Sequence, residues 1–157
     1  MIAMTVASSL HVSKLRGMDI PTRNRLKRQG ITYAAQLLEA AGGRKARAAL
    51  AARTGIDERA LLRLARRSDL SRVKGIGAIF ADMLEIVGVH NVVGLATQEP
   101  GALRAELARL NAVERFARRA PTVEEVTDWV EQARELPILL EDDQISSTAL
   151  QPDQLTT

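Results

Sequence analysis

Apolar positions along this chain recur at three- and four-residue intervals. Ala34, Leu37 and Leu38 share one helical face. Ala60, Leu61 and Leu64 share another, and Val126, Trp129, Val130, Ala133 and Leu136 form a third stripe. This is the periodicity of helices buried on one side. Pro21 suits the first turn of a helix, where its missing N–H costs nothing, and Gly30 closes that helix. Thr32 is read as the cap of a helix over 33–41, and Gly42-Gly43 breaks the chain. Helix resumes over 44–53, breaks at Thr54-Gly55, and restarts over 58–68 behind an Asp57 cap. Further helices are predicted over 78–87, from Asn91 to Ala96, and from Pro100 to Leu110. Asn111-Ala-Val-Glu114 and Thr122-Val-Glu-Glu125 both have the capping-box form, so helices are expected to start after each. Pro137 stops the last helix, which is expected to pack across everything before it.

Sliding the chain against itself by 58 residues pairs Ser13 with Ser71, Gly17 with Gly75, Leu26 with Leu84, Gly30 with Gly88 and Leu37 with Leu95. No gap is needed. The identities fall at turn glycines and core leucines, which makes an internal duplication the natural reading. The expected organisation has residues 1–13 as a flexible N-terminal arm and 14–137 as a single helical domain. Within it lie repeat one (14–70), repeat two (71–120) and a C-terminal packing helix (121–137). Residues 138–157 are polar and acidic and are expected to form a disordered tail. The fold class is all-α.

Composition narrows the chemistry. The chain has 157 residues, no cysteine, and 3% aromatics. A disulfide framework and thiolate chemistry are excluded, and the core must be built from Ala, Leu, Val and Ile. No apolar run approaches membrane-spanning length and no signal-peptide pattern opens the chain, so a cytoplasmic location with no membrane partner is expected. The net charge of +3 conceals an asymmetry: residues 14–74 carry 16 basic and 5 acidic side chains, and residues 75–157 carry 6 and 14. Such a split implies an anionic partner for the first half, or halves that meet each other or a second copy. Arg59, Arg63, Arg66 and Arg67 fall within an arc of about 100° on their helix. They form either a solvated face or a stripe that tracks phosphates.

Gly75-Ile-Gly-Ala-Ile-Phe-Ala81 resembles a helix-hairpin-helix motif, with Val73, Gly75, Ile76, Gly77, Ala81 and Leu84 at its characteristic positions. Glycines at such a turn let backbone N–H groups point outward beside a helix N-terminus, where a phosphate oxygen can be held. The resemblance implies two such motifs about a pseudo-dyad, gripping both strands of duplex DNA without reading sequence. The span from Lys14 to about Pro137 also resembles an uncharacterised bacterial family of duplicated helix-hairpin-helix proteins. That likeness lies in the hairpin, in Arg44-Lys-Ala-Arg-Ala-Ala-Leu-Ala-Ala-Arg-Thr-Gly-Ile56, in Arg66-Arg-Ser-Asp-Leu70 and in Arg118-Arg-Ala-Pro-Thr122…Trp129. The first unit departs from the motif, with Asp19 at the second glycine and Arg23 at the small helical position. In the second unit Ile79 stands where DNA-binding members often carry a basic residue.

His11 and His90 have no metal-ligand partner at helical spacing, and no acid–base pair, nucleophile constellation or phosphate-loop motif is present. No enzyme activity, metal or cofactor is expected. The expected function is sequence-nonspecific binding of duplex DNA. The candidate contacts are Arg72, Lys74, Gly75, Ile76 and Gly77 at the second hairpin, Arg23 and Lys27 on the first helix, and Arg59, Arg63, Arg66 and Arg67. The alternative is a protein-interaction adaptor or self-associating scaffold, in which the basic half meets an acidic protein surface or the acidic half of a second copy in a homodimer.

Overall fold

The structure, a computed structural model, describes residues 10–143. Among these residues there are eight α-helices and no β-strand. They are α1 (Ile20–Arg28), α2 (Ala34–Ala41), α3 (Arg44–Thr54), α4 (Glu58–Leu70), α5 (Ala78–Ile86), α6 (Val92–Ala96), α7 (Pro100–Glu114) and α8 (Val123–Glu135). The stop and start signals explain most of these boundaries. Asp57 accepts the Arg59 and Ala60 amides to open α4, and Asn91 accepts the Gly94 amide to open α6. Gly55, at φ +74°, closes α3 in the left-handed conformation.

Two local readings are corrected. Asn111 opens no helix, because α7 runs through it to Glu114 and ends at Arg115 in the left-handed region (φ 56°). The Asn111 side chain instead exchanges two hydrogen bonds with the backbone of Ala117, folding the next loop back onto α7. Thr32 does not cap α2 either. Gln36 Oε1 accepts the amides of both Thr32 and Tyr33, so the satisfaction comes from inside the helix.

The Thr122 capping box is formed in both directions, and Arg119 adds a two-pronged ion pair to Glu125. The hydrogen bonds from Arg119, then that from the Thr122 amide, hold the Glu125 carboxyl down to about 2. A carboxyl depressed on folding stabilises the folded state above its unfolded pKa, about 4.3. That increment is lost as the pH falls from there towards 2. Carboxyl-detected NMR titration is expected to show Glu125 still ionised at pH 3.5, with Arg119→Ala moving its midpoint back towards 4.

The helices enclose two adjoining cores. Val12, Leu15, Leu26, Leu37, Leu50, Leu61 and Leu64 belong to the first. Leu70, Val73, Leu84, Leu95, Leu103, Leu107, Trp129 and Val130 belong to the second. Packing follows one scheme in each: α2 lies on α4 as α6 lies on α8, and α3 lies on α4 as α7 lies on α8. The backbone of the hairpins recurs at an interval of 58 residues. Gly17 and Gly75 have φ +88° and +101°, and Gly30 and Gly88 have φ +79° and +95°. The Leu15–Met18 turn is matched by Val73–Ile76, and the Ile31 amide bond to Leu26 by the Val89 bond to Leu84.

Both ends of the described chain depart from the expectation of disorder. Residues 10–13 are docked: Val12 is buried, its amide donates to the Thr32 carbonyl, and the Ala34 amide donates to Leu10. Residues 137–143 form a strap that crosses back to the first core. There Leu140 is buried among its leucines, and the Glu141 amide donates to the Gly42 carbonyl. The physical reason is that Leu140 and Asp142 each find a pre-formed partner on the other half. The rest of the predicted arm (1–9) and tail (144–157) lies outside the described residues. Helix α8, expected to span both units, packs chiefly on α6 and α7; the strap makes the crossing in its place.

Candidate nucleic-acid interface

The second hairpin has the expected turn. Ile76 is buried and its amide closes the turn onto the Val73 carbonyl, while Gly75 and Gly77 are exposed. No side chain caps α5 at Gly77, so its first amides are left to solvent or a ligand. The surroundings are less basic than the sequence suggests. Lys74 is exposed, but its backbone is clamped by Gln132, which accepts from the Lys74 amide and donates to its carbonyl. Gln132 in turn donates to Asp128. Arg72 does not reach the surface. It is 3% exposed, pairs with Asp69 and donates to the Pro137 carbonyl, anchoring the root of the strap. Burial pushes the Asp69 carboxyl up, opposed by hydrogen bonds from the Val92 amide and Arg72.

At the first hairpin the helix N-terminus already holds an anion of its own. Asp19 Oδ1 accepts the Thr22 amide at 2.8 Å, and hydrogen bonds from Thr22 keep the carboxyl below its ordinary value. Asp19 therefore does for α1 what a phosphate would do, whereas Gly77 at the matching position of α5 has no side chain to do so.

The arginine stripe on α4 divides in two. Arg59 and Arg63 are exposed, as a ligand surface requires. Arg66 and Arg67 turn inward. Arg66 clasps Asp142 of the strap through two hydrogen bonds of 2.8 Å. Arg67 donates to the Arg16 carbonyl and pairs with Glu85, and its Nε lies 3.6 Å from Asp82, too long for a hydrogen bond. Burial pushes the Asp82 carboxyl up against the pull of Arg67 and Arg16. Helical projection placed all four arginines on one arc correctly. It carried no information that the acidic half of the same chain lies against the C-terminal part of that arc. Arg16–Asp82, Arg44–Asp143, Arg66–Asp142 and Arg67–Glu85 join the basic and acidic halves within one molecule. These charges are occupied without a second copy.

Four exposed cations sit close together on α1. Of its nine residues only Leu26 is buried, while Arg23, Arg25, Lys27 and Arg28 are exposed and none is ion-paired among the described residues. Each flank of α1 borders a cleft. Arg23, Asn24 and Lys27 line one of about 320 Å³, with His11 and Thr32 opposite. Arg25, Arg28 and Gln29 line another of about 260 Å³, with Arg53, Thr54 and Gly55 opposite. The sequence reading named Arg23 and Lys27 but not Arg25, Arg28 or Arg53. The available signal was the composition Ile-Pro-Thr-Arg-Asn-Arg-Leu-Lys-Arg, which offers two aliphatic side chains, Ile20 and Leu26, to four cations.

His11 is held by the Ser13 amide on Nδ1 and by an edge contact with Tyr33; His90 Nδ1 is buried without a hydrogen-bond partner. No cluster of three metal-ligating side chains occurs among the described residues, and no described helix is long and apolar enough to cross a membrane. Neither the curated proteins nor the solved structures include a match to this chain. A family does match, over residues 16–136, from the first hairpin to the end of α8: the chain belongs to the family described as Domain of unknown function (DUF4332).

Proposed function

We propose that this protein is a non-enzymatic module that binds the phosphate backbone of duplex DNA without reading its sequence, and that it is built from two tandem helix-hairpin-helix units of about 58 residues. The unit reading is supported by the recurrence of turn glycines, hairpin hydrogen bonds and helix packing at that interval. The binding reading is carried by α1, whose four exposed cations have no acidic partner among the described residues. Cations placed so are available for counterion release on contact with phosphates. The proposed contact surface is α1 together with Arg59 and Arg63, and the open N-terminus of α5 adds backbone donors.

Fluorescence anisotropy against a duplex at several salt concentrations tests this. The log-log plot is expected to be linear, and Arg23→Ala with Lys27→Ala is expected to flatten its slope by about 2, near 0.9 for each phosphate contact. An unchanged slope removes α1 from the interface, and no binding at low salt ends the reading.

The second hairpin has its own test. Gly77 has φ −95°, and a Cβ there meets nothing within 4 Å, so Gly77→Asp is accommodated and reproduces the Asp19 arrangement. It is expected to gain a few tenths of a kcal/mol from capping α5. If α5 holds a phosphate, the same change weakens DNA binding several-fold; equal affinity leaves α5 out of the site.

The alternative, a protein-interaction surface, is favoured by one observation. Ile79 and Ile86 are each 52% exposed, seven residues apart on α5 and therefore on one face. Sedimentation of Ile79→Asp/Ile86→Asp against the parent distinguishes a self-associating scaffold, since only the scaffold loses mass.

A further inference from the structure

We infer that the cleft between the ends of α1 and α3 is a binding site for a dianionic phosphate group. Three arginines line it from two helices: Arg25 and Arg28 from the last turn of α1, and Arg53 from the last turn of α3. The cleft has no carboxylate in its lining. Asp19, which Arg25 pulls on from the same helix, is already held by Thr22 and lies outside it.

Charge bookkeeping at the cleft leaves a definite remainder. Both helices end in it, at Gln29 and Gly55, and each C-terminus presents about half a negative charge. Those two ends account for part of the arginine placement, offsetting about one of three positive charges and leaving about +2. A phosphodiester carries one negative charge. A phosphomonoester or free phosphate carries close to two at neutral pH and matches the remainder.

Two details shape the site for such a group. Gln29 Oε1 accepts from Arg53 Nε at 3.2 Å, which fixes that guanidinium while leaving its two outer nitrogens without partners among the described residues. Paired N–H donors of this kind suit bidentate contact with phosphate oxygens. Gly55 brings the second: a Cβ at this position would lie 3.8 Å from Arg25 Nη1, so Arg25 reaches across from α1 to the end of α3. The cleft, at about 260 Å³, has the liquid volume of about nine waters at ~30 Å³ each, room for a phosphate and part of its hydration.

The site extends the proposed function and does not depend on it. Its phosphate has two possible sources, the free ion or the phosphorylated end of a nucleic acid strand. NMR titration of the full chain with inorganic phosphate, against sodium chloride at matched ionic strength, reads the site directly. The Gly55 amide and Arg53 Nε signals are expected to shift saturably with phosphate and not with chloride. Arg28→Gln/Arg53→Gln, both at the surface, is expected to weaken phosphate at least tenfold, whereas Arg109→Gln/Arg118→Gln, exposed and outside the cleft lining, leaves it unchanged. Shifts that follow ionic strength alone, or phosphate binding that survives the Arg28/Arg53 change, overturn the inference. Given saturable binding, preference for a 5′-phosphorylated over a hydroxyl-ended duplex assigns the source to a strand end, and equal affinity assigns it to the free ion. Failure of the duplex reading shows separately, in the salt slope of the Arg23/Lys27 change.

Discussion

Replacing Asp142 by alanine is expected to lower the unfolding free energy by about 3 kcal/mol, although the residue lies beyond the last helix in a segment that reads as tail. Its carboxylate is fully buried, accepts two hydrogen bonds of 2.8 Å from Arg66 and accepts one of 3.1 Å from Asn91 Nδ2. Removing one partner of a buried pair leaves the other charge desolvated and unmatched, at about 3–5 kcal/mol. The lower end applies because the Arg66 side chain keeps 16% of its exposure and some water. Arg66→Met alone is expected to cost less, because Asp142 keeps the Asn91 hydrogen bond when its two bonds to Arg66 are lost. Arg66→Met with Asp142→Leu should recover only part of the loss: the apolar pair needs no charge compensation, but Asn91 Nδ2 loses its buried acceptor, at about 1–3 kcal/mol. Urea unfolding of the four proteins closes the cycle. For a chain of this size, 3 kcal/mol corresponds to a Tm lower by roughly 6–12 °C. A single-mutant cost below 1 kcal/mol would mean that the strap is not held by this pair.

Gly75→Ala is expected to cost about 3 kcal/mol, while Gly77→Ala two residues on is close to neutral. At Gly75 two penalties coincide. Its φ of +101° lies beyond the left-handed well that L-residues tolerate, and a Cβ would stand 2.8 Å from Trp129 Nε1. Trp129 is itself 2% exposed and packed against Phe80, so it has no room to withdraw. Backbone strain of about 1–3 kcal/mol and overpacking of a similar size act together. At Gly77 the backbone is extended and the space is open, and the reduced entropy of the unfolded chain offsets the slightly poorer cap. Gly17 is intermediate, since its Cβ would meet only the far end of Arg67 at 3.3 Å. Circular dichroism melts of the three alanine variants give the order Gly75, Gly17, Gly77. If Gly75→Ala melts with the parent, the Trp129 contact is not what fixes the hairpin.

The local chemistry of this chain was legible because it is local. Helix starts at Asp57, Asn91 and Thr122 rest on a side chain two or three residues from the amide it satisfies. The turns at Gly55 and Gly75 rest on a φ that favours glycine. The apolar stripes of α4 and α8 are buried as their spacing requires. Where the sequence by itself fell short, the deciding partner lay far along the chain. Nothing near Arg66 in sequence shows that Asp142, 76 residues away, will neutralise it. Glu85 does the same for Arg67, and the distant Pro137 carbonyl completes for Arg72 what Asp69, three residues away, begins. A helical wheel ranks arginines by direction and is blind to which direction is solvent. Only the packing of the acidic half and its strap against α4 could decide that. The packing turned Arg66, Arg67 and Arg72 into internal ties. It left α1, anchored by Leu26 and with its four cations in no ion pair among the described residues, as a basic surface, because a cation stays exposed where no carboxylate is brought to meet it.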